Sequence, residues 1–323
     1  MRYVLLGNKG VYRSTDNGIT WLALNDGLPS GQSTNIRVQA LAVDADNPFI
    51  AYSGMGGIGS RDSSLSAGLY MLDEAGTTWL PAGKDMAGQE VRQIAIMPLP
   101  DMETSVVCVA ASEGIYCNTE KGQSWMRMKL PAIEVSKILS LAIRPGNPHV
   151  IYVGTDGHGL YVTKDEGNSW IELAQELDSF HIYDIAISKT RPDLIYIATE
   201  GGIYKSTDAG LTWMKLGLTT EGRRVNAIVL HPRDEDVLFV GLQYGAVYYT
   251  ADGGINWTPL KKGLGNVTVL SLALDPQNAS ILWAGTTDGI WRYVLGTPVV
   301  SQATYVMVSA TATPALELTF TPT

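Results

Sequence analysis

Four acidic residues at equivalent positions, each in a turn between two apolar segments, are followed directly by a glycine: Glu113, Asp156, Glu200 and Asp288. Glycoside hydrolysis requires two carboxylates at a set separation, one as a general acid and the other as a base or nucleophile. Asp-Gly and Glu-Gly pairs are also favoured in tight hairpin turns, where the acid has no catalytic role. We therefore expect these four acids to be turn residues.

Basic residues recur at another set of equivalent positions, where apolar runs such as ILSLAIR (138–144) begin. These positions hold Arg37, Lys137, His181 and Arg224, with Glu90 and Thr268 at the remaining two, and Arg92 and Arg61 are further candidates nearby. In a chain of net charge −9, such a row predicts a positive collar that attracts an acidic partner or a carboxylate-bearing ligand. The alternative is that they are solvated residues at the starts of strands.

A glycine-rich insertion at 54–67 matches a dinucleotide fingerprint through Gly54, Gly56 and Gly59. That fingerprint requires a following helix, whose amides bind the pyrophosphate. The residues that follow, GLYMLD (68–73), read as a strand, so we reject the dinucleotide interpretation. The insertion is either a loop over a ligand face, with Arg61 available for contact, or a neutral insertion.

The remaining reactive residues predict neither a cofactor nor a metal site. The four histidines lack metal-ligand spacing, and no nucleophile elbow, zinc motif or phosphate loop is present. Cys108 and Cys117 lie on two strands of one hairpin, opposite each other. A cross-strand disulfide is an alternative in an oxidising compartment, but two buried thiols are the favoured expectation.

The elements that position these residues come from an internal repeat. Six segments share a Gly-x-Tyr pattern followed by Ser/Thr-x-Asp-x-Gly-x-Ser/Thr-Trp, and one step of 58 residues interrupts a period near 45. Each unit reads as four short strands: an apolar strand A, strand B, strand C with the Gly-x-Tyr pattern, and strand D beside the Trp. Four antiparallel strands in about 45 residues are typical of a propeller blade.

Counting strands gives the number of blades. Strands B and C each occur seven times and strands A and D six times, which predicts an all-β, seven-bladed β-propeller over residues 1–294, with six blades as the alternative. Residues 295–323 form a tail rich in Thr, Pro and Ala, in which 304–309 is a candidate ring-closing strand, either outermost in blade seven or innermost in blade one. An equally weighted alternative is that the sequence is truncated at its N-terminus and has lost a signal peptide and one strand.

The turn between strands C and D has a structural explanation. Its Asp accepts hydrogen bonds from amides across the turn, and its Gly supplies the positive φ of a tight hairpin. Units 2 and 3 carry Glu74 and Glu120 at the acid position. The motif residues of the six units are Ser14, Asp16, Gly18, Trp21, Trp79, Trp125, Asp165, Gly167, Trp170, Ser206, Asp208, Gly210, Trp213, Asp252, Gly254 and Trp257.

On these residues the chain resembles the Asp-box, or BNR-repeat, β-propellers over residues 1–294. Members of that superfamily include sialidases, xyloglucanase-type glycoside hydrolases, the sortilin receptors and the photosystem II assembly and stability factors. The last group is most similar in size and blade count. The resemblance implies that the Asp-boxes are structural, and that ligands bind on the opposite face, which carries the D-to-A and B-to-C loops. An arginine-rich patch contacts the clients of photosystem II assembly factors, and the predicted collar is similar in kind.

The chain departs from the enzymes of the superfamily. Xyloglucanase-type enzymes place their catalytic carboxylates between two tandem propellers, whereas one propeller is present here. The Arg-Ile-Pro signature of sialidases is absent. We therefore predict a non-enzymatic scaffold, without a cofactor, that binds a protein partner, for instance a membrane complex, through the collar face. The alternatives are a glycoside hydrolase-like or carbohydrate-binding propeller, and a secreted surface or receptor-like module.

Composition sets the outer limits. High glycine (34 residues), a low charged fraction (17%) and 15 Tyr with 8 Trp indicate a turn-rich, well-buried β protein. The acidic balance argues against a nucleic-acid partner, because nothing would neutralise a run of phosphates. No stretch reaches 18 consecutive apolar residues, so no membrane span is expected. The N-terminal residues do not read as a signal peptide, although the resembled family is mostly exported or lumenal.

Overall fold

The structure, a computed structural model, describes residues 1–5, 9–29, 36–44, 47–57, 67–99, 105–118, 124–128, 138–173, 177–245, 247–260, 264, 266–295, 300–307 and 315–320. Within these ranges, side chains are described everywhere except at 36, 37, 57, 300–307 and 315–320.

The described ranges form antiparallel strands and a short 3-10 helix at Lys84–Met86. The fold is an all-β, seven-bladed β-propeller, which confirms the prediction. The alternative of six blades is wrong, because the last B and C strands are flanked by an A strand on one side and a fourth strand on the other, which makes a seventh blade. No helix in the described part of the chain is long and apolar enough to cross a membrane.

One compact unit comprises Met1–Ser136, Asp165–Ser169 and Tyr305–Thr319 and holds blades 1 to 3. Its strands are β1 (Arg2–Leu5), β2 (Val11–Ser14) and β3 (Thr20–Ala23) in blade 1, β4 (Ile36–Val43), β5 (Ala51–Gly57), β6 (Gly68–Leu72) and β7 (Trp79–Pro81) in blade 2, and β8 (Val91–Pro98), β9 (Ser105–Ala111), β10 (Gly114–Asn118) and β11 (Met126–Met128) in blade 3.

The other unit comprises Lys137–Lys164, Trp170–Thr304 and Phe320–Thr323 and holds blades 4 to 7. Blade 4 contains β12 (Ile138–Ile143), β13 (Ile151–Thr155), β14 (Leu160–Thr163) and β15 (Ile171–Leu173), and blade 5 contains β16 (Ile182–Ile187), β17 (Ile195–Thr199), β18 (Gly202–Ser206) and β19 (Met214–Lys215). Blade 6 contains β20 (Val225–Leu230), β21 (Leu238–Leu242), β22 (Val247–Thr250) and β23 (Thr258–Leu260). Blade 7 contains β24 (Val269–Leu274), β25 (Ile281–Thr286), β26 (Gly289–Val294) and β27 (Val300–Met307), of which residues 300–304 belong to this unit.

Apolar packing between neighbouring blades forms the core. All five residues of β13 are buried, as are all five of β17, so both faces of these strands are covered. Between blades 4 and 5, Tyr152 and Leu160 pack with Ile182 and Ile197 in one cluster of fully buried side chains. Strands that are buried on both faces need continuous apolar sequence, which is the pattern that the B strands show.

Each A strand carries a β-bulge near its start. In β12, the register against β13 shifts between Ile138 and Ser140, and the same shift occurs in β4, β8, β16, β20 and β24. A bulge leaves one residue unpaired and bends the strand. Polar side chains beside the bulge then connect neighbouring A strands: the Ser140 hydroxyl donates to the Ile182 carbonyl (2.9 Å) and Asn226 Nδ2 to the Val269 carbonyl (2.7 Å).

The corresponding connection between blades 5 and 6 uses an acid. The Asp184 carboxylate accepts from the Ile185 amide at 2.9 Å and from the Ile228 amide of β20 at 2.8 Å. Burial raises the pKa of Asp184 to about 6, because desolvation of the charged form outweighs these two hydrogen bonds.

Cys108 and Cys117 lie directly opposite each other on β9 and β10 and form a disulfide. The expectation of two buried free thiols is therefore wrong, although the predicted geometry was correct. The sequence places the two side chains opposite each other but carries no signal for the redox state.

The tail contributes strands to both units. β27, which overlaps the candidate strand at 304–309, pairs with β26 through Val300, Ser301 and Gln302. In the first unit, β28 (Ala315–Phe320) pairs with β3. The domain boundary at residue 294 and the ring-closing role of 304–309 stay predictions.

Candidate functional site

Four of the predicted collar residues lie at or beside the starts of A strands. Arg37, His181 and Arg224 each stand two residues before the bulge, and Arg92 is itself the bulged residue of β8. The side chain of Arg37, together with Arg61 and Lys137, lies outside the described residues. The side-chain contacts of the collar are therefore described for Arg92, His181 and Arg224. We call the side of a blade that carries its D-to-A and B-to-C loops the loop side.

In the first unit, an acid accompanies the collar arginine. Arg92 Nη2 lies 3.1 Å from Glu90 Oε2, and Gln39 Nε2 donates to Glu90 Oε1 at 3.1 Å. Glu90 occupies the position that is basic in most other units. The charge of Arg92 is thus compensated locally, which reduces the positive field expected at this blade.

In the second unit, His181 stands between two carboxylates. Its Nε2 lies 3.2 Å from Asp156 Oδ1 and its Nδ1 lies 3.6 Å from Glu200 Oε2. Asp156 and His181 also pair through their backbones as an isolated bridge, which fixes the blade 4 turn against the entry to β16. A neutral imidazole has one N–H, so only the imidazolium can donate to both acids.

Arg224 differs from the other described collar residues. Its guanidinium carbon lies 4.9 Å from the centroid of the Tyr183 ring, and in the described part of the chain it forms no ion pair. Its Nε is buried and has no hydrogen-bond partner among the described residues. The preceding Arg223 is paired with Glu221 at 3.1 Å. Arg224 is therefore a cation held by an aromatic ring rather than by a carboxylate.

A depression of about 330 Å³ opens beside His181 on the loop side of blades 4 and 5. It is lined by Gly157, Asp178, Ser179, Phe180, His181, Glu200 and Gly201. The Phe180 carbonyl accepts from the Gly157 amide (3.2 Å) and the Gly159 amide (3.0 Å), which anchors the loop before β16 to the blade 4 turn. The Phe180 side chain remains 41% exposed.

Asp178 forms another part of this lining. Its Oδ2 accepts from Lys215 Nζ at 2.8 Å and from the Tyr204 hydroxyl at 3.2 Å. The hydrogen bond from Lys215, followed by that from Tyr204, lowers the pKa of Asp178. Lys215 also lies over the Tyr204 ring, 5.6 Å from its centroid.

The acids of the B-to-C turns lie where the repeat predicts. Asp156 and Glu200 meet at His181, whereas the Glu113 and Asp288 amides donate to Gln89 Oε1 and to Thr286 Oγ1. The imidazole fills the space between Asp156 and Glu200, where a glycosidase pair needs room for the bond to be cleaved or for a water molecule. In the described part of the chain, no group of three or more His, Cys, Asp or Glu is arranged to hold a metal ion.

The C-to-D turns, which we call the motif turns, use their carboxylates within the turn. Asp208 accepts from the Ser206 hydroxyl (2.7 Å), the Thr212 hydroxyl (2.6 Å) and the Thr212 amide (2.9 Å). Ser206 Oγ accepts in turn from the Gly210 amide at 2.8 Å. Gly210 has φ +91°, and a Cβ there would lie 2.9 Å from a Leu173 methyl in the neighbouring blade, so both the conformation and the space favour glycine.

The same bonding recurs in other blades, and it lowers the pKa of Asp208, Asp252 and Asp16. Hydrogen bonds led by the Thr212 side chain lower the pKa of Asp208 to about 2, and those led by the Asn256 amide lower that of Asp252 to about 2. For Asp16, desolvation acts in the opposite direction, but hydrogen bonds from Thr20 and Ser14 prevail and the pKa is again about 2. In blade 4, Asp165 accepts from the Ser169 amide and hydroxyl.

In blade 2, the acid is not the residue expected. Asp73, one position before Glu74, accepts from the Thr77 amide (2.7 Å), the Thr78 amide (3.0 Å) and the Thr77 hydroxyl (3.2 Å). The expectation that Glu74 replaces the acid of this turn is therefore wrong, because the shorter Asp73 side chain reaches the same amides from one residue earlier. Glu120 of blade 3 lies outside the described residues.

The indole nitrogens of the motif Trp residues form two kinds of hydrogen bond. Trp79 Nε1 donates to the Leu24 carbonyl and Trp125 Nε1 to the Ala82 carbonyl, each reaching the preceding blade at 2.8 Å. Trp213 Nε1 instead donates within its own turn, to the Gly210 carbonyl at 3.0 Å. Trp21 and Trp257 donate within their turns in the same way, and Trp170 is partly buried beside the blade 4 turn.

Sequence reasoning missed the lining of the depression. Phe180 and Asp178 belong to no repeated position, and the partners of Asp178, Tyr204 and Lys215, come from strands that follow it in the chain. The sequence carries no signal for them, because exposure is not visible in the sequence and Phe180 is no more exposed (41%) than Phe49 (40%).

The fold and the motif turns define a seven-bladed β-propeller, and comparisons with known proteins agree. No protein-family model matches the chain. A curated relative, a xyloglucanase from Hypocrea jecorina (strain QM6a), is 28% identical over 204 residues, which is 61% of this chain and 22% of the relative. The chain thus spans about a fifth of the length of that relative.

Solved propellers are similar over nearly all of the chain. An ancestral GH74 enzyme superposes with a TM-score of 0.63 at 20% identity, covering 94% of this chain and 40% of the enzyme. YCF48 from Cyanidioschyzon merolae superposes with a TM-score of 0.60 at 13% identity, covering 90% and 97%. YCF48 bound to D1 peptide gives 0.56 at 16% identity, covering 92% and 98%. At these identities the likeness establishes the fold alone.

Proposed function

We propose that this chain is a non-enzymatic propeller that binds a segment of a partner protein on the loop side of blades 4 to 6. The observation that carries the proposal is Arg224, which is stacked on Tyr183 and has no carboxylate partner among the described residues, next to the depression at His181. An arginine held by an aromatic ring keeps its guanidinium donors available for a carboxylate of a partner. Arg37, Arg61, Arg92 and Lys137 are further candidates for the same contact.

Two observations support a protein partner. YCF48, a propeller of similar length, has been solved with a D1 peptide bound, so a single propeller of this size is sufficient to hold a peptide. The resemblance to photosystem II assembly and stability factors also favours a scaffold, with a membrane complex as one candidate partner. The Cys108–Cys117 disulfide favours an oxidising compartment.

The test is a capture experiment with a matched pair of variants. Arg224→Ala removes the available guanidinium, whereas Arg223→Ala removes the neighbouring guanidinium that Glu221 already pairs. We expect a partner captured from the source cells by the wild-type chain and by Arg223→Ala to bind Arg224→Ala about tenfold more weakly when remeasured with purified components. Equal binding by the three proteins would contradict the proposal.

A second candidate is a glycoside hydrolase-like or glycan-binding propeller, which the 28% identity to a xyloglucanase favours. The acids available for it are Asp156 and Glu200, with the His181 imidazole between them. Incubation with xyloglucan and reducing-sugar detection tests this function. If the wild-type chain releases sugar and Asp156→Asn and Glu200→Gln do not, the result would support the hydrolase and contradict the non-enzymatic scaffold.

A further inference from the structure

We infer that the inner strands of blade 7, β24 and β25, bind an extended strand of a partner protein, which places a valine or isoleucine side chain over Gly285. The partner strand packs on blade 7 as an A strand packs on the blade that precedes it. Neither Arg224 nor the depression at His181 takes part in this binding, so the site goes beyond the proposed function.

The packing of A strands on the preceding blade has a repeated form. The residue immediately before the bulge of each A strand is a buried β-branched residue, at most 4% exposed: Val38, Val91, Ile138, Ile182, Val225 and Val269. At three places it covers a glycine in the B strand of the preceding blade. A Cβ at Gly154 would lie 2.7 Å from Ile182 Cγ2, one at Gly54 would lie 2.6 Å from Val91 Cγ1, and Gly241 meets the valine of β24 in the same way. These glycines leave the space into which the next A strand packs.

Gly285 of β25 is the equivalent glycine in blade 7, and the space beside it is open. It pairs with Ser271 of β24 as Gly154 pairs with Ser140 of β12. Apart from its chain neighbours, Ser271 is the one described residue within 4 Å of the position that a Cβ at Gly285 would take, and it belongs to the same blade. In the described part of the chain, no β-branched side chain of another blade covers Gly285.

The side chains of β24 that correspond to contacts between A strands are exposed. Ser140 is 4% exposed and its hydroxyl donates to a carbonyl of β16, the next A strand. Its counterpart Ser271 is exposed, and its hydroxyl has no hydrogen-bond partner among the described residues. One residue earlier, Leu270 is 56% exposed, whereas its counterpart Asn226 donates to a carbonyl of the next A strand. Blade 7 thus offers an apolar side chain and a hydroxyl beside the space at Gly285.

The other compact unit lacks an A strand as well. Blade 1 contains β1, β2 and β3, and no described strand pairs with the inner edge of β1. All four residues of β1 are partly exposed, whereas β13 and β17, each paired with an A strand, are buried throughout. The described part of the chain thus has six A strands for seven B strands. An unpaired strand edge offers backbone donors and acceptors that an extended segment can bind.

The six A strands define the chemistry of the occupant. Three consecutive apolar residues lie at the third to fifth positions after the β-branched residue, as in LAI (141–143), IAI (185–187) and LAL (272–274). The tail does not supply this strand from its described part, because β27 pairs with β26 and β28 pairs with β3 on the outer sides of the blades. The occupant is therefore a strand of a partner chain that carries a valine or isoleucine followed, two residues later, by an apolar triplet.

The experiment uses two fluorescently labelled probe peptides that differ at a single side chain. One reproduces residues 137–144 of this chain, Lys-Ile-Leu-Ser-Leu-Ala-Ile-Arg, and the other has alanine in place of the first isoleucine. We expect the isoleucine peptide to bind the wild-type chain about tenfold more tightly, measured by fluorescence anisotropy, because alanine leaves the space at Gly285 unfilled.

Two variants of the protein test the location of the site. Gly285→Val fills the space with a side chain of the protein itself and should weaken binding of the isoleucine peptide at least tenfold. Leu270→Asp changes an exposed side chain and places a charge beside the apolar strand, which should weaken binding about fivefold. Thr258→Val is the matched control, because it adds the same side chain at an exposed position of β23, and its binding should stay within about twofold of wild type.

Thermal unfolding checks that each variant is folded, and if Gly285→Val is not, Leu270→Asp decides alone. Equal binding of the two peptides, no detectable binding of either, or unchanged binding in the folded variants would overturn the inference. Sedimentation velocity of the wild-type chain examines the other occupant. A dimer that Leu270→Asp makes monomeric would also overturn the inference, because a second copy of this chain would then occupy the site in place of a partner protein.

Discussion

Acids on the two sides of the blades are used differently. In the motif turns, Asp208 accepts three hydrogen bonds from residues within four positions of itself. On the loop side, Asp156 and Glu200 meet an imidazole from another loop and keep roughly half of their side-chain surface exposed. The first arrangement stabilises a hairpin, whereas the second joins the turns of two blades at one imidazole. The number of acids on a side therefore says little about function until their acceptor capacity is examined.

Trp79→Ala has the largest expected effect, because it tests whether the motif side is structural. Trp79 is 1% exposed and its Nε1 donates to the Leu24 carbonyl of the preceding blade. Removing the indole leaves a cavity and an unsatisfied carbonyl, which should lower the free energy of unfolding by about 3–5 kcal/mol. Urea unfolding followed by tryptophan fluorescence measures it. Leu80→Ala, at a neighbour that is 46% exposed, should cost less than about 1 kcal/mol. Similar losses of unfolding free energy in both variants would show that Trp79 contributes no more to stability than its exposed neighbour.

How far the sequence predicts the structure depends on the distance between partners along the chain. The bonds of Asp208 and the turn at Gly210 lie within one motif, so the repeat was enough to predict them. Asp73 was missed because alignment on Trp79 placed Glu74 at the acid position, although the carboxylate one residue earlier was visible in the sequence.

The loop side was predicted less completely, because its contacts join different blades. The positions of His181 and Arg224 at the starts of A strands could be predicted from the repeat, but the acids that face His181 come from two other turns. The stacking of Arg224 on Tyr183 likewise depends on the packing of β16 beside β20. Periodicity predicts which residues are equivalent, and it does not predict which residues of neighbouring blades meet.

Asp184→Asn extends the comparison to an acid that connects two blades, whereas the acids of the motif turns bond within one turn. The pKa of Asp184 is about 6 in the folded chain and 3.8 is its ordinary value, so the folded state holds the proton more tightly than the unfolded state. Protonated Asp184 therefore stabilises the folded chain; this contribution is complete below about pH 4 and is lost as the pH rises through about 6. A pKa shift of this size corresponds to about 2–3 kcal/mol in the free energy of unfolding. Urea unfolding from pH 4 to 7 should show this decline in the wild-type chain and a flatter profile in Asp184→Asn. A decline of equal size in both proteins would assign the effect to another group.

Asp208→Ala has the smallest expected effect and the opposite pH dependence. The folded pKa of about 2 lies below the ordinary 3.8, so the carboxylate stabilises the fold above about pH 4, and that contribution is lost as the pH falls toward 2. At pH 7, loss of its three hydrogen bonds should cost about 1–2 kcal/mol, as loss of a helix-capping carboxylate does. Glu172→Ala, at an exposed acid of β15, should cost less than about 0.5 kcal/mol. The difference between Asp208→Ala and the wild-type chain in urea unfolding should shrink as the pH is lowered from 4 to 2.5. If it stays constant, the hydrogen bonds act through the shape of the turn and not through the charge of Asp208, and the contrast between the two sides of the blades would then rest on geometry alone.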